Sequence, residues 1–482
     1  MNESGNLDRL AVLKQRFNPR REYKVSHTKI EVDGAFVRFD DDWGFKDDKA
    51  IVPLEDFLQD PAVIRSARVS TGRDAKEVNE KAEGLIGALY RNKHVTPFEG
   101  SVIFRLRVET PICFAQSFFQ LPYSHNEFSG RYSVIDGDFY TPKKVLEDQD
   151  FAVIFAEAEW ESQNFYRNLI GKGIALEQAR FALPYRFYTK FYWTISLRHI
   201  LEILSLEANK LTPIEFWEIR DSILKQIIKD WTPWTYDKFV EHFDELQTRW
   251  SEDIVSGNLD LPDRNFCFEE PVPKGKVKNI GRYHLIDRMG SEEVLKIGVQ
   301  TKPNPRKGFG HAAMTFYLET PIFVHRQWVR HRQGVWSELP VDFDKIVATR
   351  DFYVPLNFRK KIGKQMSYAY EDMVENENQE VIKLFNDFLD RCIYRYNVLR
   401  EKKMPAEEAA LVLPYVFRVK TLWTVNLDGL MNFFSLRCNE DAQWEIRQFA
   451  NEIYKIFRGY YPWANKIFLD HLNFGESELF KE

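Results

Sequence analysis

The chain has 482 residues, 15% aromatic, with a formal net charge of −5. That length exceeds one ordinary core, so about two to four domains are expected. The mild acidity excludes a general nucleic-acid binder, which carries a basic excess, and the aromatic content excludes a disordered chain.

Residues 1–50 are polar and charged and read as an N-terminal extension, ahead of a first domain at 51–255. Asp74 can cap a helix running to about His94, with Val78, Ala82, Leu85, Ile86 and Leu89 at the helical period, until Thr96-Pro97 stops it. Val102 to Val108 alternates as a strand. The segment Asn126-Glu127-Phe128-Ser129-Gly130-Arg131-Tyr132 reads as a loop. A helix is expected from about Phe151 to Gly171, and a second begins near Leu176, carries Arg180 and is broken by Pro184. The aromatic run from Tyr185 to Trp193, continued to Leu206, supplies apolar mass. Residues 256–280 mix Gly, Pro and charge and read as a linker to a second domain at 281–482. There an alternating strand reaches Pro321 and meets Arg326-Gln327-Trp328-Val329-Arg330-His331-Arg332, read as a basic loop.

The second half repeats the first in order. Glu109-Thr110-Pro111 matches Glu319-Thr320-Pro321 at an offset of about 210, and Asp138-Phe139-Tyr140 matches Asp351-Phe352-Tyr353. Leu183-Pro184-Tyr185 matches Leu413-Pro414-Tyr415 at about 230, followed by Trp193-Thr194 with Trp423-Thr424 and Pro233-Trp234 with Pro462-Trp463. So long a period indicates duplicated domains rather than a solenoid. The copies differ where chemistry could reside. The later one has the arginine cluster, replaced in the earlier one by Gln120-Leu121-Pro122, and the earlier one has Ser129-Gly130-Arg131, where the later has Asp342 for the arginine.

Guanidinium groups bind phosphate or carboxylate in a fork, so Arg326, Arg330 and Arg332 suit a small anionic ligand. His331 between two arginines should disfavour its charged form. Glycine beside a hydroxyl and an arginine, as at Ser129-Gly130-Arg131, lets backbone N–H groups approach an oxyanion. Arg437 stands on an apolar helical stretch and needs a partner or a ligand, and its counterpart Glu207 shows that the fold does not require it. Arg180 has Ala410 as its counterpart. Cys113, Cys267, Cys392 and Cys438 form no Cys-x-x-Cys spacing and read as reduced thiols, and the ten histidines show no metal-ligand spacing. No apolar run reaches about 18 residues and the N-terminus lacks a signal-peptide core, so a cytoplasmic protein without a membrane span is expected.

Arg330-His331-Arg332 and Asn126-Glu127-x-Ser129-Gly130-Arg131-Tyr132 resemble the two ends of the signature of the flavin-dependent thymidylate synthases. His94-x-Thr96-Pro97-Phe98-Glu99 and the block from Leu422 to Ile446 resemble further motifs of that family. The resemblance implies an α+β fold in two tandem copies, each an antiparallel sheet flanked by helices, packed as a pseudo-dimer. It implies FAD, NADPH and methylenetetrahydrofolate, reductive methylation of dUMP to dTMP, and no cysteine nucleophile. The family's homotetramer implies that two of these chains self-associate into a tetramer-like particle. By matching position, Ser129, Gly130 and Arg131 hold the nucleotide phosphate, with Glu127, Arg180, Gln327 and Arg330 as further nucleotide contacts. Arg437 lies beside the uracil as the catalytic arginine. Thr96, Glu99, Glu127, Arg330, His331, Arg332, Asn426 and Asn432 match flavin contacts. Asp428 and Asp441 depart from the family pattern, as do Pro305, Lys307 and Gly310. Since neither copy retains every element, one composite site per chain is expected. The alternatives are a diverged flavin-dependent methylase of another pyrimidine nucleotide and a non-catalytic nucleotide-binding paralogue.

Overall fold

The computed structural model describes residues 21–25, 27–35, 60–68, 78, 82–92, 94–121, 124–131, 133–137, 139–206, 213–242, 273–301, 304–362 and 370–472. They form two compact units. The first lies within Met1–Phe128 and Tyr188–Leu259, the second within Ser129–Phe187 and Asp260–Glu482. Residues 129–187, which precede the duplication point in sequence, therefore fold with the second unit.

Among the described residues the first unit holds a five-stranded antiparallel sheet: β1 (Arg21–Lys24), β2 (Lys29–Ala35), β3 (Ile103–Pro111), β4 (Ser124–Glu127) and β5 (Tyr188–Ser196), in the order β1-β2-β3-β5-β4. β1 and β2 fall inside the segment expected to be an extension. Lys29-Ile30-Glu31-Val32 alternates with the strand period, but its charged members mask so short a strand. In β3 the alternation buries Phe104, Leu106 and Val108 and turns Arg105 and Arg107 to the other face. The helix expected from Asp74 is described over Glu83–Arg91, its start lying outside the described residues, and Thr96-Pro97 opens a separate short helix, Thr96–Gly100. After β5 the helix Leu197–Ser205 buries Leu197, Ile200, Leu201 and Leu204.

The second unit repeats this sheet with β6 (Lys274–Val277), β7 (Gly281–Met289), β8 (Ala313–Pro321), β9 (Gly334–Glu338) and β12 (Arg418–Asn426), in the order β6-β7-β8-β12-β9. β10 (Arg359–Lys361) and β11 (Tyr370–Asp372) form a separate antiparallel pair. β6 lies within the segment expected as linker, hidden by its Lys-Gly-Lys composition. The duplication extends to register. Ile103 pairs with Ser196 and Pro111 with Tyr188; Ala313 pairs with Asn426 and Pro321 with Arg418. Both second strands carry a register shift at the same point, Val32/Gly34 and Leu285/Asp287.

Residues from both sequence repeats meet within the second unit. The helix Gln149–Gly171 starts where the Asp148 carboxylate accepts from Asp150 N and Phe151 N, at 3.0 and 3.2 Å. It packs on the helix Glu375–Glu401, with Phe165 and Phe388 centroids 4.7 Å apart and Glu161 paired to Arg395 at 2.5 Å. Leu183-Pro184-Tyr185 meets its own counterpart reciprocally. Tyr185 N donates to Leu413 O at 2.9 Å and Tyr415 N to Leu183 O at 3.0 Å. Phe187 meets Tyr415 edge-on, as Phe417 meets Tyr185. This is the self-complementary contact of a two-fold pair, made here within one chain. No helix among the described residues is long and apolar enough to cross a membrane. Cys392 and Cys438 are buried free thiols, and burial pushes that of Cys392 up to about 12.

Candidate functional site

β8 runs directly into the helix Ile322–Trp328, so the basic segment is not one loop, as its charge suggested. Arg326 lies on the helix and is buried, because the helical period that carries Ile322, Phe323 and Trp328 inward brings Arg326 with them. Trp328 is fully buried, stacked on Phe433 at 5.1 Å with Trp423 at 5.4 Å, and fixes the base of the turn that follows. Arg330 is half-buried in that turn and Arg332 is exposed.

His331 is buried, edge-on to Phe433 with ring centroids 4.9 Å apart, and its Nε2 accepts from Arg437 Nε at 2.9 Å. Burial and the Arg437 charge hold its pKa down to about 3. The ring is therefore neutral, with Nε2 as acceptor and the proton on Nδ1. The sequence anticipates the neutral form, but the charge responsible belongs to Arg437, not to the flanking arginines. Arg437 ends the helix Leu427–Arg437 and also donates from Nη2 to Gln327 O at 3.3 Å.

Gln327 continues the network. Its Nε2 donates to Gln443 Oε1 at 2.8 Å, and the same oxygen accepts from Arg180 Nη2 at 2.9 Å. Arg180 opens the 3-10 turn Arg180–Ala182 beyond the short helix Leu176–Ala179. Burial lowers its pKa, with the Arg131 charge acting in the same direction and Tyr415 and Glu177 opposing. Arg131 donates from Nε to Glu177 Oε2 at 2.8 Å and from Nη2 to Asp441 O at 3.1 Å. Its backbone N reaches Ser129 Oγ at 3.4 Å. Gly130 sits where a Cβ would come within 2.6 Å of Ile135 Cδ1, so a side chain there would displace Ile135, with Arg180 Cδ in ordinary contact at 3.7 Å.

Behind this surface lies a buried ion network. Glu177 also faces Arg359 at 3.4 Å, and Arg359 pairs with Glu445 at 3.2 Å, which accepts from Tyr353 OH at 3.0 Å. Burial opposes the Arg359 charge, but Glu445 and Glu177 prevail and hold its pKa above the usual range. Tyr370 of β11 hydrogen-bonds Arg131. Ser129, Gly130, Arg131 and Arg180 of the first repeat thus share one unit with Gln327, Arg330, His331, Arg332 and Arg437 of the second.

The remaining candidates have these surroundings. Glu127, Thr96 and Glu99 belong to the first unit. Glu127 Oε1 accepts from Thr189 Oγ1 at 2.5 Å, Glu99 pairs with Arg198 at 2.7 Å, and Thr96 is exposed. In the second unit Asn426 caps its helix by accepting from Gly429 N at 2.9 Å, while Asn432 is half-buried on that helix. Asp428 accepts from Arg306 at 2.5 Å, Lys307 at 2.8 Å and Gln333 at 3.2 Å. Arg198 and Asp428 occupy equivalent positions after β5 and β12 and carry opposite charges, each paired with a residue of opposite sign in its own unit. Asp342, which replaces the loop arginine, caps the helix Phe343–Ala348. Tyr132 lies outside the described residues.

Sequence reasoning missed Glu177, Gln443, Arg359 and Glu445. Gln443 and Glu445 stand in the Ala442–Ile446 motif, whose conspicuous feature is Trp444. Glu177 carries no motif, and Arg359 lies where the repeat offset changes.

The sequence profile of the Thymidylate synthase complementing protein family (Thy1) matches residues 54–234 and 301–463, more than half of the chain. The flavin-dependent thymidylate synthase of a Thermus thermophilus strain is 36% identical over 213 residues, covering 40% of this chain and 77% of that protein. That of Pseudothermotoga lettingae is 33% identical over 183 residues, covering 38% and 76%. That of Wolbachia pipientis wMel is 33% identical over 216 residues, covering 40% and 75%. A solved structure of a UMP/dUMP methylase from Streptomyces cacaoi bound with 5-Br dUMP aligns at TM-score 0.35 and 25% identity, covering 38% of this chain and 91% of that one.

Proposed function

From the premise that this chain belongs to the thymidylate synthase complementing protein family, matched twice in tandem, we propose that it methylates dUMP reductively to dTMP at one composite site per chain. Methylenetetrahydrofolate would supply the carbon, and NADPH would reduce a bound FAD. The observation that carries this reading is the hydrogen-bonded series Arg180–Gln443–Gln327–Arg437–His331, which draws on both repeats and lies beside Arg131.

In this reading Arg131, with Ser129 and Gly130, binds the nucleotide phosphate. Glu177 orients Arg131 from behind, leaving the phosphate to approach the opposite edge of the guanidinium. Arg437 faces the pyrimidine. The neutral His331 nitrogen and the Gln327 carbonyl orient it without carrying a formal negative charge. Its cation therefore suits negative charge that develops on the ring during methyl transfer, where a preorganised donor is worth most. Arg330, Arg332 and Asn432 offer donors that fit an anionic cofactor, next to the buried imidazole of His331. The Asp428 corner fits one less well, since its cations are already bound to the carboxylate. A bound flavin would supply the hydride. Glu127, Thr96 and Glu99 are assigned to the same site by family position only.

Incubating the protein with dUMP, methylenetetrahydrofolate, NADPH and FAD should yield dTMP. Methylation of a different pyrimidine nucleotide would favour the diverged methylase. Nucleotide binding with no product from any pyrimidine nucleotide would favour the non-catalytic paralogue.

A further inference from the structure

We propose that Gln443 binds the nucleotide directly through its side-chain NH2, while its amide oxygen sets Arg180 and Gln327 on either side; this rests on the nucleotide site proposed above. Gln443 immediately precedes the helix Trp444–Tyr460 and is 1% exposed. A polar side chain at this position commonly folds back onto the first N–H groups of its helix. That of Gln443 makes no such bond. Its Oε1 turns instead to Arg180 and Gln327.

The orientation of both amides follows from the arginine. A guanidinium has donors and no acceptor, so the Gln443 oxygen must face Arg180. Gln327 must then present its own NH2 to that oxygen. Gln443 Nε2 and Gln327 Oε1 are left over, both buried and neither with a hydrogen-bond partner. Buried polar groups are ordinarily satisfied, and an orphaned pair beside a cluster of cations marks a place that a ligand completes. The donor calls for an oxygen acceptor on the nucleotide, either a phosphate oxygen or a pyrimidine carbonyl. The acceptor on Gln327 calls for an N–H or O–H on the same molecule.

Equilibrium binding of dUMP to the full-length protein, compared with Gln443→Glu and Gln443→Met, tests this. Gln443→Glu keeps the side-chain length and an oxygen toward Arg180 but replaces the donor with an acceptor. It should weaken dUMP binding at least tenfold while melting at the wild-type temperature. Repeating the titration with deoxyuridine identifies the acceptor. A loss of similar size indicates a base carbonyl, and a loss confined to dUMP indicates the phosphate. A purely structural Gln443 predicts the reverse pattern, with wild-type dUMP affinity in Q443E and a lowered melting temperature in Q443M, and that result overturns the assignment. Should Q443E fail to fold, the side-chain NH2 resonances of Gln443 in wild-type protein decide: they should shift when dUMP is added, and unmoved resonances overturn the proposal. Wild-type protein that binds no dUMP overturns the underlying functional reading and this assignment with it.

Discussion

His331 and Arg437 form a pair whose value lies in the imidazole being uncharged. Burial and the neighbouring guanidinium depress the His331 pKa to about 3, whereas the unfolded chain titrates near the ordinary value of 6.5. Between those values the unfolded state binds a proton that the folded state does not, so stability falls as pH drops below about 6.5, by up to about 1.4 kcal/mol per pH unit from this group. Urea midpoints measured from pH 7 to 4 should decline, and His331→Gln should flatten the decline; parallel profiles would show that His331 is not the titrating group. Arg437→Ala should lower kcat more than it raises KM, because the guanidinium acts on charge that appears only in the transition state. Arg131→Ala should instead weaken dUMP binding by about 1.5–3 kcal/mol, the usual value of a charge-assisted contact. Isothermal titration separates these roles, and wild-type affinity in Arg131→Ala would remove the phosphate assignment.

The elements explain why some of this is legible in sequence. Arg131 and Arg437 stand out because their counterparts are Asp342 and Glu207, so the repeat itself shows that the fold tolerates their loss. Strand alternation and the matched Pro111 and Pro321 locate β3 and β8, whereas the helix Ile322–Trp328 after β8 is missed because its arginine reads as part of a loop. What stays hidden is long-range. Nothing local tells Glu177 that it will meet Arg131 and Arg359, or Gln443 that Arg180 will reach it from 263 positions away. The short edge strands β1 and β6 are equally illegible, since charged residues at sheet edges resemble those of a linker. Asp342 illustrates a residue whose role is purely local: its carboxylate caps the helix Phe343–Ala348 by accepting from Lys345 N at 2.9 Å. Asp342→Ala should therefore cost about 1 kcal/mol in thermal or urea denaturation and leave turnover near wild type. A collapse of activity would mean that this loop still serves a site.

For the whole molecule, duplication permits what the residues display. Once two copies are joined in one chain, each can lose a half-site that the other retains. The reciprocal contacts of Leu183-Pro184-Tyr185 with Leu413-Pro414-Tyr415 hold segments of both repeats in one compact unit, where Arg131, Arg180 and Arg437 come within one network. A chain whose copies worked independently would keep Arg131 and Arg437 equivalents in each. The most direct measurement is the number of dUMP molecules bound per chain at saturation. One composite site predicts a single equivalent, abolished or strongly weakened by Arg131→Ala and left intact by Asp342→Ala; two equivalents per chain, or a stoichiometry indifferent to Arg131, would contradict it.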